Sequence, residues 1–205
     1  MRRALPRLSI GLAAVQIFLS LGSAAVWPLA ETAAQDDPSQ WPADQKVEKA
    51  TERLIKELLA FPIKLWGAGW ARTESLEIRA LVAGGPVWGR AKLAVYSGST
   101  LSLNHHHPMN DIVGVNTRAF ELAASGACQV VDLKGELPGL FAPGEEVVAY
   151  RDLDDLKDQL GYYLAHPDEA RAIGGNAMKR ALQEHTLRHR IEEILTVVEE
   201  RFGKR

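Results

Sequence analysis

The chain has 205 residues, 46% hydrophobic and 24% charged, enough to bury one core and to place it among single-domain globular proteins. A net charge of −2 offers no basic field, which excludes nucleic acid as a bulk partner, and the five Trp and four Tyr fall without basic clusters and read as core. The single cysteine, Cys128, excludes a disulfide framework; within ACQVV it reads as a small buried hydrophobe and favours a reducing compartment.

In chain order, Arg2, Arg3 and Arg7 precede an uncharged stretch from Leu8 to Ala30, with ETAAQ beyond it. Basic end, apolar middle and small residues is the order of a secretory signal. Its length would also suit a membrane span, which the Gly, Ser, Gln and Pro inside it oppose. The alternatives are a buried strand and loop, or upstream sequence read from a mis-chosen start codon. Residues 1–34 are therefore assigned to a signal peptide or a non-native extension. Export follows only from a genuine signal; the rest of the chain reads as cytoplasmic. Residues 35–45, QDDPSQWPADQ, hold two prolines and read as a linker.

From Lys46 to Leu59, apolar residues at helical spacing (Val47, Leu54, Ile55, Leu58, Leu59) predict an amphipathic helix, closing a segment 35–60. Ile63–Trp66 is a short strand that breaks into Gly67-Ala68-Gly69. Residues 71–85 are poorly periodic and end in a Gly84-Gly85-Pro86 turn. Gly89 to Tyr96 suits a short helix, Thr100–Asn104 a buried strand, Thr117–Ala124 a helix stopped by Gly126, and Cys128–Asp132 another strand. A short helix, a Pro143-Gly144 turn and an edge strand at Val147–Tyr150 follow. Asp152 opens a helix to about Ala165; the next carries Ala170, Ile173, Ala177, Ala181 and Leu182. Thr186 caps a last helix with Ile191, Ile194, Leu195, Val198 and Phe202 on one face. Strands alternating with helices, then a helical tail, predict an α/β fold with a mainly parallel, Rossmann-like sheet.

Residues 101–131 collect the chemistry. Asn104, His105, His106, His107, Asn116, Arg118 and Glu121 lie between two apolar strands. In α/β proteins, polar groups at the carboxyl ends of strands and at a helix N-terminus make ligand sites. Asn116 reads as an N-cap. Arg118 falls in the first turn, where the helix dipole disfavours a cation unless an anion is present; that anion is either a ligand or a neighbouring side chain. Gly67 and Gly69 let a backbone come close to a ligand, or simply turn the chain. His105 and His107 would share one face of an extended segment and could begin a zinc site, but no further Cys or spaced His supports it, so no metal is expected; an exported, His-rich metal-binding domain stays as a further reading, and it needs a genuine signal.

IKLWGAGW, YSGSTLSLNHHHP, GVNTRAFELAASGACQVVD, LFAPGEEVVAYRD, LGYYLAHPDEAR and EHTLRHR, in this order, resemble the C-terminal domain of GT-B glycosyltransferases (glycosyltransferase group 1), in particular the bacterial group related to spore maturation protein CgeB. The resemblance spans Ile63 to Ile194, about two thirds of the chain. It implies that residues 61–205 form the C-terminal half of a GT-B fold, binding a nucleotide-sugar donor opposite an acceptor domain. It further implies metal-independent transfer with no cofactor, in which positive groups and helix dipoles stabilise the leaving diphosphate.

On this resemblance Glu121 accepts hydrogen bonds from the donor ribose. Arg118 and Asn116 attend the diphosphate; Gly67, Gly69, Asn104 and His105 line the donor site; and His106 donates a hydrogen bond or a proton to the leaving group. Two departures stand out. No complete acceptor domain precedes Phe61, which points to a second chain or protomer, or to a truncated, non-catalytic binding module; the acceptor is unknown. Related retaining enzymes carry a second glutamate eight positions before the one at Glu121, where this chain has Val113, leaving Asp111 or another residue to supply that carboxylate. Asp152-Leu153-Asp154 mimics the Asp-x-Asp of metal-dependent transferases but opens a helix and reads as a cap. Glu145 and Glu146 follow a turn near the nucleotide in related enzymes, or are solvated. His185, His189 and Arg190 read as packing or capping residues.

Overall fold

The computed structural model describes residues 15–17, 51–67, 69–106 and 113–203. His107, Asp111 and most of the segment 1–50 lie outside them. Six parallel strands run in the order β3-β2-β1-β4-β5-β6. They are β1 (Val15–Ile17), β2 (Ile63–Trp66), β3 (Val82–Gly84), β4 (Leu101–Asn104), β5 (Gln129–Asp132) and β6 (Val148–Tyr150). The helices are α1 (51–57 of the described residues), α2 (Leu76–Leu81), α3 (Gly89–Ser97), α4 (Thr117–Ala124), α5 (Leu137–Leu140), α6 (Leu153–Ala165), α7 (Pro167–Glu184) and α8 (Leu187–Phe202).

Side chains alternate across the sheet because a strand has a period of two. Ile63, Leu65, Leu101, Leu103, Val130, Val148 and Tyr150 join Ile55 from α1, Leu58 from the turn after it, Leu156 and Leu160 from α6, and Ala170 and Ile173 from α7 in the larger core. On the opposite face Val131 and Val147 meet Ala123 of α4, Leu137 of α5, and Ala177 and Ala181 of α7. Both faces are covered, as a parallel sheet requires.

The centre of the sheet falls in the stretch for which a signal, a non-native extension and a buried strand were all open. β1 lies inside the stretch assigned to a signal or extension, yet Val15 pairs with both Ile63 and Leu101, and Ile17 with both Leu65 and Leu103. A parallel strand with neighbours on both sides is an apolar run, and so is the middle of a signal peptide; composition alone does not separate them.

α2 and β3 occupy the stretch 71–85 that showed no period. α2 buries only Ile78, and β3 is a three-residue edge strand with no fully buried residue, so neither writes a pattern. Leu182, expected on the packed face of α7, is 57% exposed. The predicted apolar stripe of α8 exists, but no residue of that helix is buried.

Candidate functional site

Strand order reverses between β1 and β4, and in open α/β sheets the carboxyl edge at such a point is the usual ligand position. β4 delivers Asn104, His105 and His106 to that edge, β5 delivers Asp132, and β6 delivers Tyr150. α4 returns antiparallel to β4, so its N-terminus stands at the same edge.

Asn116 caps α4, its Oδ1 accepting the Ala119 N–H at 3.2 Å. The same side chain exchanges two hydrogen bonds with buried Asn104, at 3.1 and 3.0 Å. Gln129, fully buried beneath them, donates to the Ala119 carbonyl at 3.1 Å and accepts from Asn104 at 3.4 Å. Buried amides have their partners here, so the network fixes one position of the helix start. Both asparagines fall where the sequence placed them; Gln129 was hidden within an apolar strand.

His106 is 2% exposed. Its Nε2 accepts the Asn116 backbone N–H at 2.9 Å, which puts the ring hydrogen on Nδ1, and Nδ1–H donates to Asp132 Oδ1 at 2.7 Å. The His106 backbone N–H donates to the same oxygen at 2.8 Å, and Lys134 Nζ stands 3.5 Å from Oδ2. Burial pushes the Asp132 carboxyl up, but the His106 hydrogen bonds outweigh it and hold the group below its ordinary value. Both ring nitrogens of His106 thus face protein groups rather than open crevice.

His105 turns the other way. Its Nδ1 lies 2.6 Å from the Tyr150 hydroxyl, with the two rings stacked at 18°. Burial, with Asp132 nearby, raises the Tyr150 phenol well above its ordinary range.

Glu121 sits one turn further along α4 and meets α3. Its Oε1 takes the Lys92 ammonium at 2.8 Å and its Oε2 accepts from the Tyr96 hydroxyl at 3.5 Å. The Glu121 side chain remains 44% exposed, which leaves the carboxylate open to a ligand. Arg118 is beside the same phenol: burial raises Tyr96, Glu121 adds to that, and the Arg118 guanidinium opposes it. Arg118 thus has the Tyr96 phenol as a neighbour, and Lys92 reaches the Glu121 that the same phenol meets. Lys92 and Tyr96, one turn apart in GRAKLAVYS, were not singled out from sequence; their i, i+4 spacing was the available signal.

Gly67 has φ of 142° and donates its N–H to the Gly84 carbonyl at 3.3 Å, closing the carboxyl end of β2 against β3. Gly69 starts a 3-10 turn that places Trp70 in the core. Val113 is 64% exposed, and its carbonyl accepts the Glu136 backbone N–H at 3.1 Å. Glu136 Oε2 lies 3.1 Å from where a Cβ would stand on Gly114, so a carboxylate unforeseen in sequence borders position 113.

Four further sequence candidates make structural contacts. Asp152 caps α6 by accepting the Asp155 N–H at 2.9 Å. Glu146 accepts the Ala142 N–H at 2.8 Å and closes the turn before β6. His189 and Thr186 form a reciprocal cap on α8, while His185 Nε2 binds the Leu140 carbonyl at 2.9 Å. Among the described residues no group of three His, Cys, Asp or Glu is placed to hold a metal, and no helix is long and apolar enough to cross a membrane.

Comparison with known proteins agrees with this geometry. A family model described as glycosyl transferase-like matches residues 45–196. An uncharacterized protein of Aquifex aeolicus (strain VF5) is 28% identical over 109 residues, 52% of this chain and 27% of its own length. Spore protein CgeB of Bacillus subtilis (strain 168) is 25% identical over 133 residues, 57% of this chain and 40% of its own. The match therefore covers less than half of either relative.

Among solved structures, sucrose-phosphate synthase of Thermosynechococcus elongatus superposes with a TM-score of 0.63 at 17% identity, covering 94% of this chain and 46% of that one. Anabaena Alr3699/HepE in complex with UDP-glucose gives 0.60 at 12% identity, covering 93% and 49%. The fold is shared with about half of these glycosyltransferase-type structures, a parallel sheet flanked by helices, and with a family match across most of its length the chain belongs to the glycosyl transferase-like family.

Proposed function

We propose that this chain is the donor-binding half of a glycosyltransferase and holds a nucleotide-diphosphate sugar in the crevice beside α4. The observation that carries the reading is the position of Glu121: a partly exposed carboxylate beside a capped helix N-terminus, with Lys92 and Arg118 next to it. Glu121 accepts the ribose hydroxyls. Arg118, Lys92 and the first turn of α4 stabilise the charge that grows on the diphosphate as the sugar C–O bond to phosphate breaks and an acceptor oxygen takes its place. Glu136 brings a carboxylate to the place that Val113 leaves without one, and Gly67 and Gly69 let the backbone approach the nucleotide. UDP-glucose bound to Alr3699/HepE supports a nucleotide-sugar ligand.

The acceptor side comes from a further domain or a second chain, and the work is done in the cytoplasm. Because the chain matches only part of its relatives, a binding module without catalysis is the second reading; donor hydrolysis or transfer by the purified chain separates the two.

Thermal melts with UDP-, GDP- and TDP-sugars test the donor site. A ligand at a hundredfold excess over Kd stabilises by about 2.7 kcal/mol, roughly 5–10 °C for a domain of this size. Glu121→Ala abolishes that rise without lowering the unliganded melt by more than about 2 °C, because the pair it breaks is exposed. No stabilisation by any nucleotide sugar refutes the proposal.

A further inference from the structure

We infer that His106 is a positioning residue whose neutral form holds the start of α4 in place, so that nucleotide-sugar binding weakens as His106 takes up a proton. The inference rests on the donor site proposed above. Its physical basis is the direction of each hydrogen bond around the ring. Nδ1–H points at Asp132, and Nε2 offers its lone pair to the Asn116 N–H. A second proton has only Nε2 to go to, and there it meets another N–H. The protonated ring keeps Asp132 and expels Asn116.

Asn116 is also the residue through which the start of α4 is fixed: its side chain caps the helix and pairs with Asn104 on β4. Displacing its backbone turns the cap and moves the first turn, with Arg118 in it and Glu121 just beyond. Few alternatives are open to the ring, since the His106 side chain is fully buried.

The groups that bear on its titration are known among the described residues. Asp132 of β5 favours the proton. Lys134 after β5 stands by the far oxygen of Asp132 and opposes it. His105 and Tyr150 face Asp132 from the end of β4 and from β6.

The test is the affinity for UDP-glucose from pH 5 to 8.5, by calorimetry. The wild-type chain loses roughly 5- to 10-fold in affinity as the pH falls, the worth of one helix cap. His106→Ala is weak at every pH. His106→Gln, which offers an amide oxygen to Asn116 and cannot be protonated, recovers most of the loss and gives a flat profile. Asp132→Asn keeps an acceptor for Nδ1–H but removes the charge, so its midpoint moves to lower pH.

A wild-type profile without pH dependence, or a His106→Gln profile that retains it, overturns the inference. Hydrogen exchange of the Asn116 amide needs no ligand. It speeds up below the His106 midpoint in wild type and is insensitive to pH, beyond the intrinsic rate, in His106→Gln; equal behaviour of the two also overturns it. If no nucleotide sugar binds at any pH, the donor site falls, and the amide alone decides whether His106 holds the helix.

Discussion

An alanine at position 174 would place its Cβ 2.3 Å from the Gly126 carbonyl oxygen, 2.9 Å from the Cys128 nitrogen and 3.0 Å from the Ala127 carbonyl carbon. All three are backbone atoms, so no rotamer change relieves the clash, and α7 or the 126–128 turn must move by roughly 1 Å to regain ordinary contact distance. Gly126 is itself held at φ 73° to stop α4, which leaves the turn little freedom. Moving α7 instead opens the cluster where Ala177 and Ala181 meet Ala123 and Phe141. Overpacking of this kind costs about 1–3 kcal/mol or more, against which the better helix propensity of alanine returns up to ~1. Gly174→Ala should therefore lose about 2 kcal/mol and melt roughly 4–8 °C lower. Gly175 is the internal control: nothing lies within 4 Å of its added Cβ, so Gly175→Ala keeps the helical gain and melts at or slightly above wild type. Urea and thermal unfolding of the pair give the answer. Two alanines that behave alike would refute the close approach of α7 to the end of α4.

Lys92→Ala removes the cation beside Glu121 and weakens UDP-glucose binding about tenfold, while the melt changes by less than about 1 kcal/mol because the pair is solvent-exposed; a destabilised chain with unchanged affinity would make Lys92 structural. Cys128 is 3% exposed, and burial pushes its thiol up to about 12, so a thiol-disulfide reagent at pH 8 labels it only after denaturant is added. The sign of the linked stability follows: the contribution is complete below the unfolded thiol value of about 8.5 and is lost as pH rises toward 12. Equal labelling rates for native and unfolded chain would contradict that burial.

Much of the site was legible because short-range rules govern it. Asn116 and Asp152 cap the helices that their positions announce, and Gly126 stops α4 in the left-handed region as a terminal glycine does. What escaped is set by contacts distant in sequence. His106 meets Asp132 across 26 residues, and Glu121 meets Lys92 across 29; no periodicity records such pairs. The resemblance offered His106 as a proton donor to a leaving group, whereas the fold turns both of its nitrogens toward protein groups. The apolar stripe of α8 was legible as a pattern, but a pattern does not say whether its partner lies among the same residues. Leu187 and Phe202 are 76% and 79% exposed, so among the described residues that partner is missing.

The segment 1–34 is where two readings of the same residues make opposite demands, and a truncation decides between them. Export with cleavage near Ala34 discards Val15–Ile17. Those residues are the third strand of six, hydrogen-bonded along β2 on one side and β4 on the other. Removing a central strand is unlike trimming an edge. It leaves the facing N–H and C=O groups of both neighbours without partners in the middle of a sheet covered on both faces, and each buried unpaired group costs about 1–3 kcal/mol. A few such groups already offset a large part of the roughly 5–15 kcal/mol by which a domain is stable. A chain beginning at Gln35 should accumulate as aggregate, or show no cooperative melt. It should also fail to bind UDP-glucose, since the crevice lies between β1 and β4. A truncated chain that melts with the midpoint and cooperativity of the full one would show that these residues are dispensable to the sheet. The signal reading would then keep its claim on them.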